Sequence, residues 1–303
     1  MIEYIWKRET DKEINPKEII RGLTWNLVIA TLILMAIGSA TRVMNAGLAC
    51  PDWPLCYGEI LPVKQMNLRV FLEWFHRLDA SLIGIGAIAL TTISWWKRKD
   101  LPQWLPITSS FALFLVIFQG ILGGLTVIEL LRFDIVTAHL GTALLFFTTL
   151  LVIYMALLPY QSTGNVGKLP LVSLIAAILI YGQSLLGGLV GSQWALHQCL
   201  NYAQLCTVMH SHLGGVVPAT LAVLTVVIMA WRNSLLNPLL KKLAMISGGL
   251  VILQILLGLA TFWLHLQVET LTVAHQTVGA LLLGTLVAFN VLTWRENHLT
   301  ISE

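Results

Sequence analysis

Charge is what this sequence has least of: 11% of its 303 residues are charged, against about 25% in an ordinary soluble domain. With 57% of residues hydrophobic, that scarcity excludes a water-soluble globular domain and identifies an all-α integral membrane protein. The few basic residues form no continuous face and the net charge is only +3, which excludes a nucleic-acid partner. No small-residue cleavage site follows the first apolar stretch, which begins only after Arg21; it reads as a retained span and not a signal peptide. Cysteine is sparse as well, with four in all.

What is present is a series of apolar runs, each near the ~20 residues that cross a bilayer. They lie at 22–44, 72–95, 105–128, 135–158, 169–190, 207–231, 243–264 and 270–294, predicting eight transmembrane helices. Trp95-Trp96-Lys97-Arg98-Lys99, Trp231-Arg232 and Trp294-Arg295 mark one membrane face with aromatic and basic residues. With the N-terminus inside, 13 of the 18 basic residues fall on inner segments, and only Arg42, Lys64, Arg69, Arg77 and Arg132 lie outside. Both termini are therefore expected in the cytoplasm.

The remaining large outer loops, 45–70 and 191–206, each hold a cysteine pair. In an oxidising space such pairs point to the disulfides Cys50–Cys56 and Cys199–Cys206. No cysteine is expected inside a helix. A metal site from Cys199, Cys206 and His197 falls short in ligand count and spacing.

The two halves repeat. Gln119-Gly120-Ile121-Leu122-Gly123 in the third span resembles Gln254-Ile255-Leu256-Leu257-Gly258 in the seventh, and Thr137-Ala138-His139 resembles Val273-Ala274-His275. Gly38 to Cys50 and Gly187 to Cys199 are both 12 residues. The expected architecture is two four-helix bundles, 1–160 and 161–303, inserted in the same direction and related by a pseudo-twofold axis along the membrane normal. Small residues in spans 1, 3, 5 and 7 are read as helix-packing sites.

Spans 2, 4, 6 and 8 each carry a histidine near the outer end: His76, His139, His212 and His275. The interval is 63 residues in both halves, from 76 to 139 and from 212 to 275; His210 would give 65 and is held in reserve. Facing imidazoles at one depth in a bundle suit a porphyrin iron with two axial ligands. A lone histidine would more simply be a hydrogen-bonded interfacial residue, but a twofold register of four argues against that. The halves differ at Glu73 and Arg77, which have Met209 and Leu213 at the matching positions. A carboxylate at that depth suits proton handling; a helix-mouth ion pair or a propionate anchor is the competing reading for Arg77.

Taken together, Glu73-x-x-His76-Arg77, the histidines of spans 4, 6 and 8, the duplicated layout and Cys50-Pro51-Asp52-Trp53-Pro54-Leu55-Cys56 resemble the haem A synthase family over nearly the whole chain. The resemblance implies an oxidoreductase that converts haem O to haem A, with water as oxygen source, for cytochrome oxidase. It implies His76 and His139 as ligands of substrate haem O, His212 and His275 as ligands of a haem b, Glu73 as the catalytic residue and Arg77 beside the cofactor. It also implies the company of haem O synthase and oxidase assembly proteins, with room for a homo-oligomer, in a bacterial-type plasma membrane with the cysteine loops outside. The sequence departs from the family's His-Arg pair in span 6, which reads Met209-His210-Ser211-His212-Leu213. A dihaem electron-transfer cytochrome would share the histidines but does not account for Glu73 and Arg77 in one half only; a haem transporter or chaperone would lose haem reversibly and leave the porphyrin unmodified.

Overall fold

The computed structural model describes residues 15–163, 166–191, 203–264 and 267–301, the side chains of 203–206 and 297–301 excepted. Eight helices long and apolar enough to cross a membrane account for most of these residues. They are α1 Pro16–Val43, α2 Leu68–Trp96, α3 Leu105–Ile128, α4 Phe133–Leu157, α5 Leu169–Val190, α6 Ala203–Arg232, α7 Pro238–Trp263 and α8 Glu269–Ile301. A single turn of 3₁₀ helix, Val63–Gln65, precedes α2.

Several helices start earlier than the hydropathy runs predict, because caps and not apolarity set their ends. Asn15, Asn67 and Asn237 each accept a backbone N–H of the first turn, satisfying donors that a bare helix start leaves open. α1, α3, α5 and α7 all open with a proline in the first two positions, Pro16, Pro106, Pro170 and Pro238, where the missing N–H costs nothing. The early start of α6 also corrects one expectation: Cys206 lies within a helix. Cys199, and hence its pairing with Cys206, falls outside the described residues, as do His197 and His265.

Neighbour contacts close two rings of four. α1 packs on α2, α2 on α3, α3 on α4 and α4 on α1; α5 to α8 repeat the circuit. The rings meet where α8 touches α1 and α4, and where α4 touches α5. α4 and α8 are therefore the central helices, with 50% and 61% of their spans buried against 22–33% for the others. Leu90, Leu105, Leu150 and Ile153 belong to the core of the first ring, and Leu240, Leu282, Leu286 and Phe289 to that of the second.

Opposite the disulfide loop, Glu296 on α8 is fully buried. It accepts Tyr160 Oη at 2.5 Å, the Ser162 hydroxyl and the Thr163 N–H at 3.0 Å. Arg295 donates to the carbonyls of Met155 and Leu158 at 2.7 and 2.9 Å. The connection between the two rings is thus pinned to the last helix.

Candidate functional site

Each of the four span histidines lies against a glycine on the preceding helix. A Cβ built on Gly38 would stand 2.8 Å from His76 Cε1, one on Gly123 3.4 Å from His139 Cε1, one on Gly187 3.1 Å from His212 Cε1 and one on Gly258 3.0 Å from His275 Cε1. The backbone carbonyl four residues before each glycine also faces the ring: Leu34, Gln119, Gln183 and Gln254 in turn. The Nδ1 atoms of His76, His139 and His275 are nonetheless buried without a closed hydrogen bond among the described residues. His76 lies within electrostatic reach of His139, and His275 of His212, so the fold pairs them one pair to a ring. His212, the choice made from spacing, points at the α5 glycine, whereas His210 is exposed.

These glycines therefore do a different job from the helix packing expected of them. They make room for imidazoles. Close packing between the rings falls to Gly141, Gly188 and Gly284, which meet Leu185, Leu140 and Phe147.

The surroundings of the two pairs differ. In the second ring Gln183 Oε1 is 2.9 Å from His212 Nδ1, Gln183 Nε2 donates to the His212 carbonyl at 3.1 Å, and Gln254 Nε2 lies 3.4 Å from His275 Nε2. In the first ring Leu34 stands where Gln183 does, while Gln119, like its counterpart Gln254, has its Oε1 buried without a partner among the described residues.

Beside His76, Glu73 is only 4% exposed. Its Oε2 accepts the Cys50 N–H at 2.8 Å and its Oε1 accepts Arg77 Nη2 at 2.5 Å. Arg77 Nη1 donates to the carbonyls of Asp52 and Leu55 at 2.6 and 2.5 Å, and Nη2 to that of Cys50 at 3.3 Å. Arg77, expected beside a cofactor, thus binds the Cys50–Cys56 loop, which is closed by a disulfide.

That loop carries Trp53 across the ring. Its indole rests on Gly124 of α3, where a Cβ would lie 3.1 Å from Cδ2, one residue from the glycine that faces His139. Asp52 orders the loop's return by accepting the Tyr57 and Gly58 N–H groups at 2.6 and 2.7 Å. Those N–H groups, that of Gly58 foremost, hold its carboxyl below the usual carboxylate range.

Two polar groups near the imidazoles, Gln183 and Asp79, escaped the reading of the sequence. Asp79 lies one turn deeper than His76 on α2, with Oδ2 buried and unpartnered among the described residues. The available signal was simply a second carboxylate inside an apolar span.

Residues 21–287 match the family described as cytochrome oxidase assembly protein. The chain belongs to that family. A haem A synthase of Shewanella oneidensis is 29% identical to this family member, aligned over 92% of this chain and 98% of its own length. A haem A synthase of Bacillus pumilus is 27% identical over 47% of this chain and 46% of its own. One of Alkalihalophilus pseudofirmus is 31% identical over 37% and 38%.

Proposed function

We propose that the chain is a haem A synthase, an oxidoreductase that converts a ring methyl of haem O to a formyl group and supplies haem A for cytochrome oxidase. Family membership and the near full-length relative of that name support it. The observation that carries it is the asymmetry between two imidazole pairs of matching construction: among the described residues, only the first has a buried carboxylate clamped by a guanidinium.

In this reading His76 and His139 hold substrate haem O, and His212 and His275 hold a resident haem b. The residues fit such a group. Each ring has clearance on its flank and a backbone carbonyl facing it, the partner a ligating histidine normally uses to fix its tautomer. Haem b, when bound, supplies a one-electron carrier.

The chemistry at the methyl is two hydroxylations. Each inserts one oxygen from water and releases two protons and two electrons; loss of water from the resulting gem-diol leaves the formyl group. Glu73 is the group placed to stabilise positive charge at the ring edge and to take protons from it. Arg77 and the Cys50 N–H fix its two oxygens. The disulfide loop with Trp53 covers the mouth of the first ring and limits bulk water.

The halves 1–160 and 161–303 are read as copies related by a pseudo-twofold axis along the membrane normal. Reciprocal contacts support this: Ser39 on α1 donates to Gln276 on α8, and their counterparts Gly188 on α5 and Leu140 on α4 also touch. Both termini are placed in the cytoplasm and the cysteine loops outside a bacterial-type plasma membrane. Haem O synthase and oxidase assembly proteins are the partners this role calls for.

Product analysis tests the function. Haem extracted from cells making haem O, with and without this chain, is expected to show the formyl porphyrin only when the chain is present. Two stably bound but unmodified haems would replace this reading with a dihaem electron-transfer cytochrome. Reversible haem loss without modification would replace it with a carrier.

A further inference from the structure

Arg42, at the outer end of α1, has no part in the site described so far. Its Nη2 is shielded from solvent and has no hydrogen-bond partner among the described residues. An arginine stays protonated in proteins, and an uncompensated cation in a membrane span is costly. Its guanidinium lies against Gly191, the C-cap of α5. The carbonyls at a helix end carry partial negative charge, which explains the direction in which the side chain reaches but leaves Nη2 without an acceptor among the described residues.

The position is informative. Arg42 follows Gly38 by four residues and Gly191 follows Gly187 by four, so the two are counterparts in the repeat, and they touch. The side chain therefore crosses from the first ring to the second, one helical turn or about 6 Å outward of the glycine that faces His212. Among the described residues the second ring has no counterpart of Arg77, since Leu213 follows His212. Arg77 cannot serve, because Glu73 and three loop carbonyls occupy it.

We infer that Arg42 and the notch at Gly191 form a carboxylate clamp lent by the first half to the second, taking a propionate of the porphyrin held by His212 and His275. The inference rests on the haem b reading of the second ring. Gly191 is part of the device, because a side chain there would occupy the guanidinium's place. Its φ of −77° is open to any residue, so alanine tests the notch without straining the backbone.

The test uses the full-length chain purified in detergent, as wild type, Arg42→Gln, Arg42→Lys, Gly191→Ala and His275→Ala. Haem per protein is measured by pyridine haemochrome through serial dilution, the haem midpoint potential by redox titration, and bound phospholipid by phosphate assay. Arg42→Gln and Gly191→Ala are expected to weaken haem retention about tenfold, the scale of one charged hydrogen bond, and to lower the midpoint potential as the nearby cation is lost or moved. Arg42→Lys should restore part of both. Wild-type retention and potential in Arg42→Gln and Gly191→Ala would overturn the clamp. Loss of phospholipid with haem unchanged would overturn it in favour of a lipid phosphate. If His275→Ala keeps its full haem content and spectrum, the haem b reading itself fails, whatever Arg42 does. Should Arg42→Gln not fold, Gly191→Ala decides, since it keeps every charge.

Discussion

Replacing the four histidine-facing glycines with alanine, one at a time, gives a graded test of the site. Gly38→Ala puts a methyl 2.8 Å from His76 Cε1, whereas non-bonded carbons rest at about 3.5–4.0 Å. The ring must then retreat by about 0.7–1.2 Å. Gly123→Ala puts its methyl 3.4 Å from His139, close enough to ordinary contact that little need move. Gly258→Ala and Gly187→Ala, at 3.0 and 3.1 Å, fall between. Overpacking costs about 1–3 kcal/mol and the gain in helix propensity returns about 1 kcal/mol, so the melting temperature should shift only slightly. Ligand position is far less forgiving: a misplacement near 1 Å costs a positioned group about 10²-fold. Haem titration of the purified variants, followed by the low-spin bis-imidazole spectrum, should therefore rank Gly38 worst and Gly123 closest to wild type. Equal effects at Gly38 and Gly123, or an order unrelated to these distances, would refute the claim that the glycines exist to seat imidazoles.

Glu73→Gln keeps an acceptor for the Cys50 N–H, so haem uptake should persist while formyl product falls by about 10²–10⁴; product at the normal rate would remove Glu73 from the chemistry. Arg77→Met strands buried Glu73 and three loop carbonyls at a cost of about 3–5 kcal/mol, expected as lost amide protection across 50–56; unchanged protection would show that the loop is held otherwise. The Asp52 carboxyl is held low, so its hold on the Tyr57 and Gly58 amides is complete above the unfolded value of about 3.9 and lost as pH falls through the lower folded value. Intrinsic-rate-corrected exchange at those two amides should be flat from pH 8 to about 4 and rise below, and Asp52→Ala should lose protection at every pH. Tyr160→Phe removes a donor from buried Glu296 and should lower stability by about 1–3 kcal/mol in thermal unfolding; a larger loss of formyl product than of stability would give Tyr160 a role beyond tethering.

Much of the fold is legible in the sequence because lipid imposes one rule: an apolar run of sufficient length is a helix that satisfies its own backbone. The ends were less legible, since Asn15, Asn67 and Asn237 set them by capping and can do so outside the apolar run. Histidine spacing alone favoured His212 over His210 only through an equal interval; the helix rotation that puts His212 on Gly187 and leaves His210 exposed is what separates them. Glycine in a span reads as close helix packing, and three glycines between the rings behave so, yet the four that matter at the site are clearances for a ring on another helix. The helix-mouth ion pair of Arg77 with Glu73 was legible four residues away, but its other partners, the carbonyls of Cys50, Asp52 and Leu55, come from a loop that only folding brings over it.

By itself, then, the sequence determined the solvent of this protein, the eight membrane-spanning helices and the four imidazoles they carry, all of which follow from hydropathy and spacing along one chain. Tertiary structure decided which helices close into rings, which glycine seats which histidine, that Arg77 binds a loop and that Arg42 reaches the other half. Those are contacts between residues far apart in the chain, and a one-dimensional pattern carries no distances between its own distant parts.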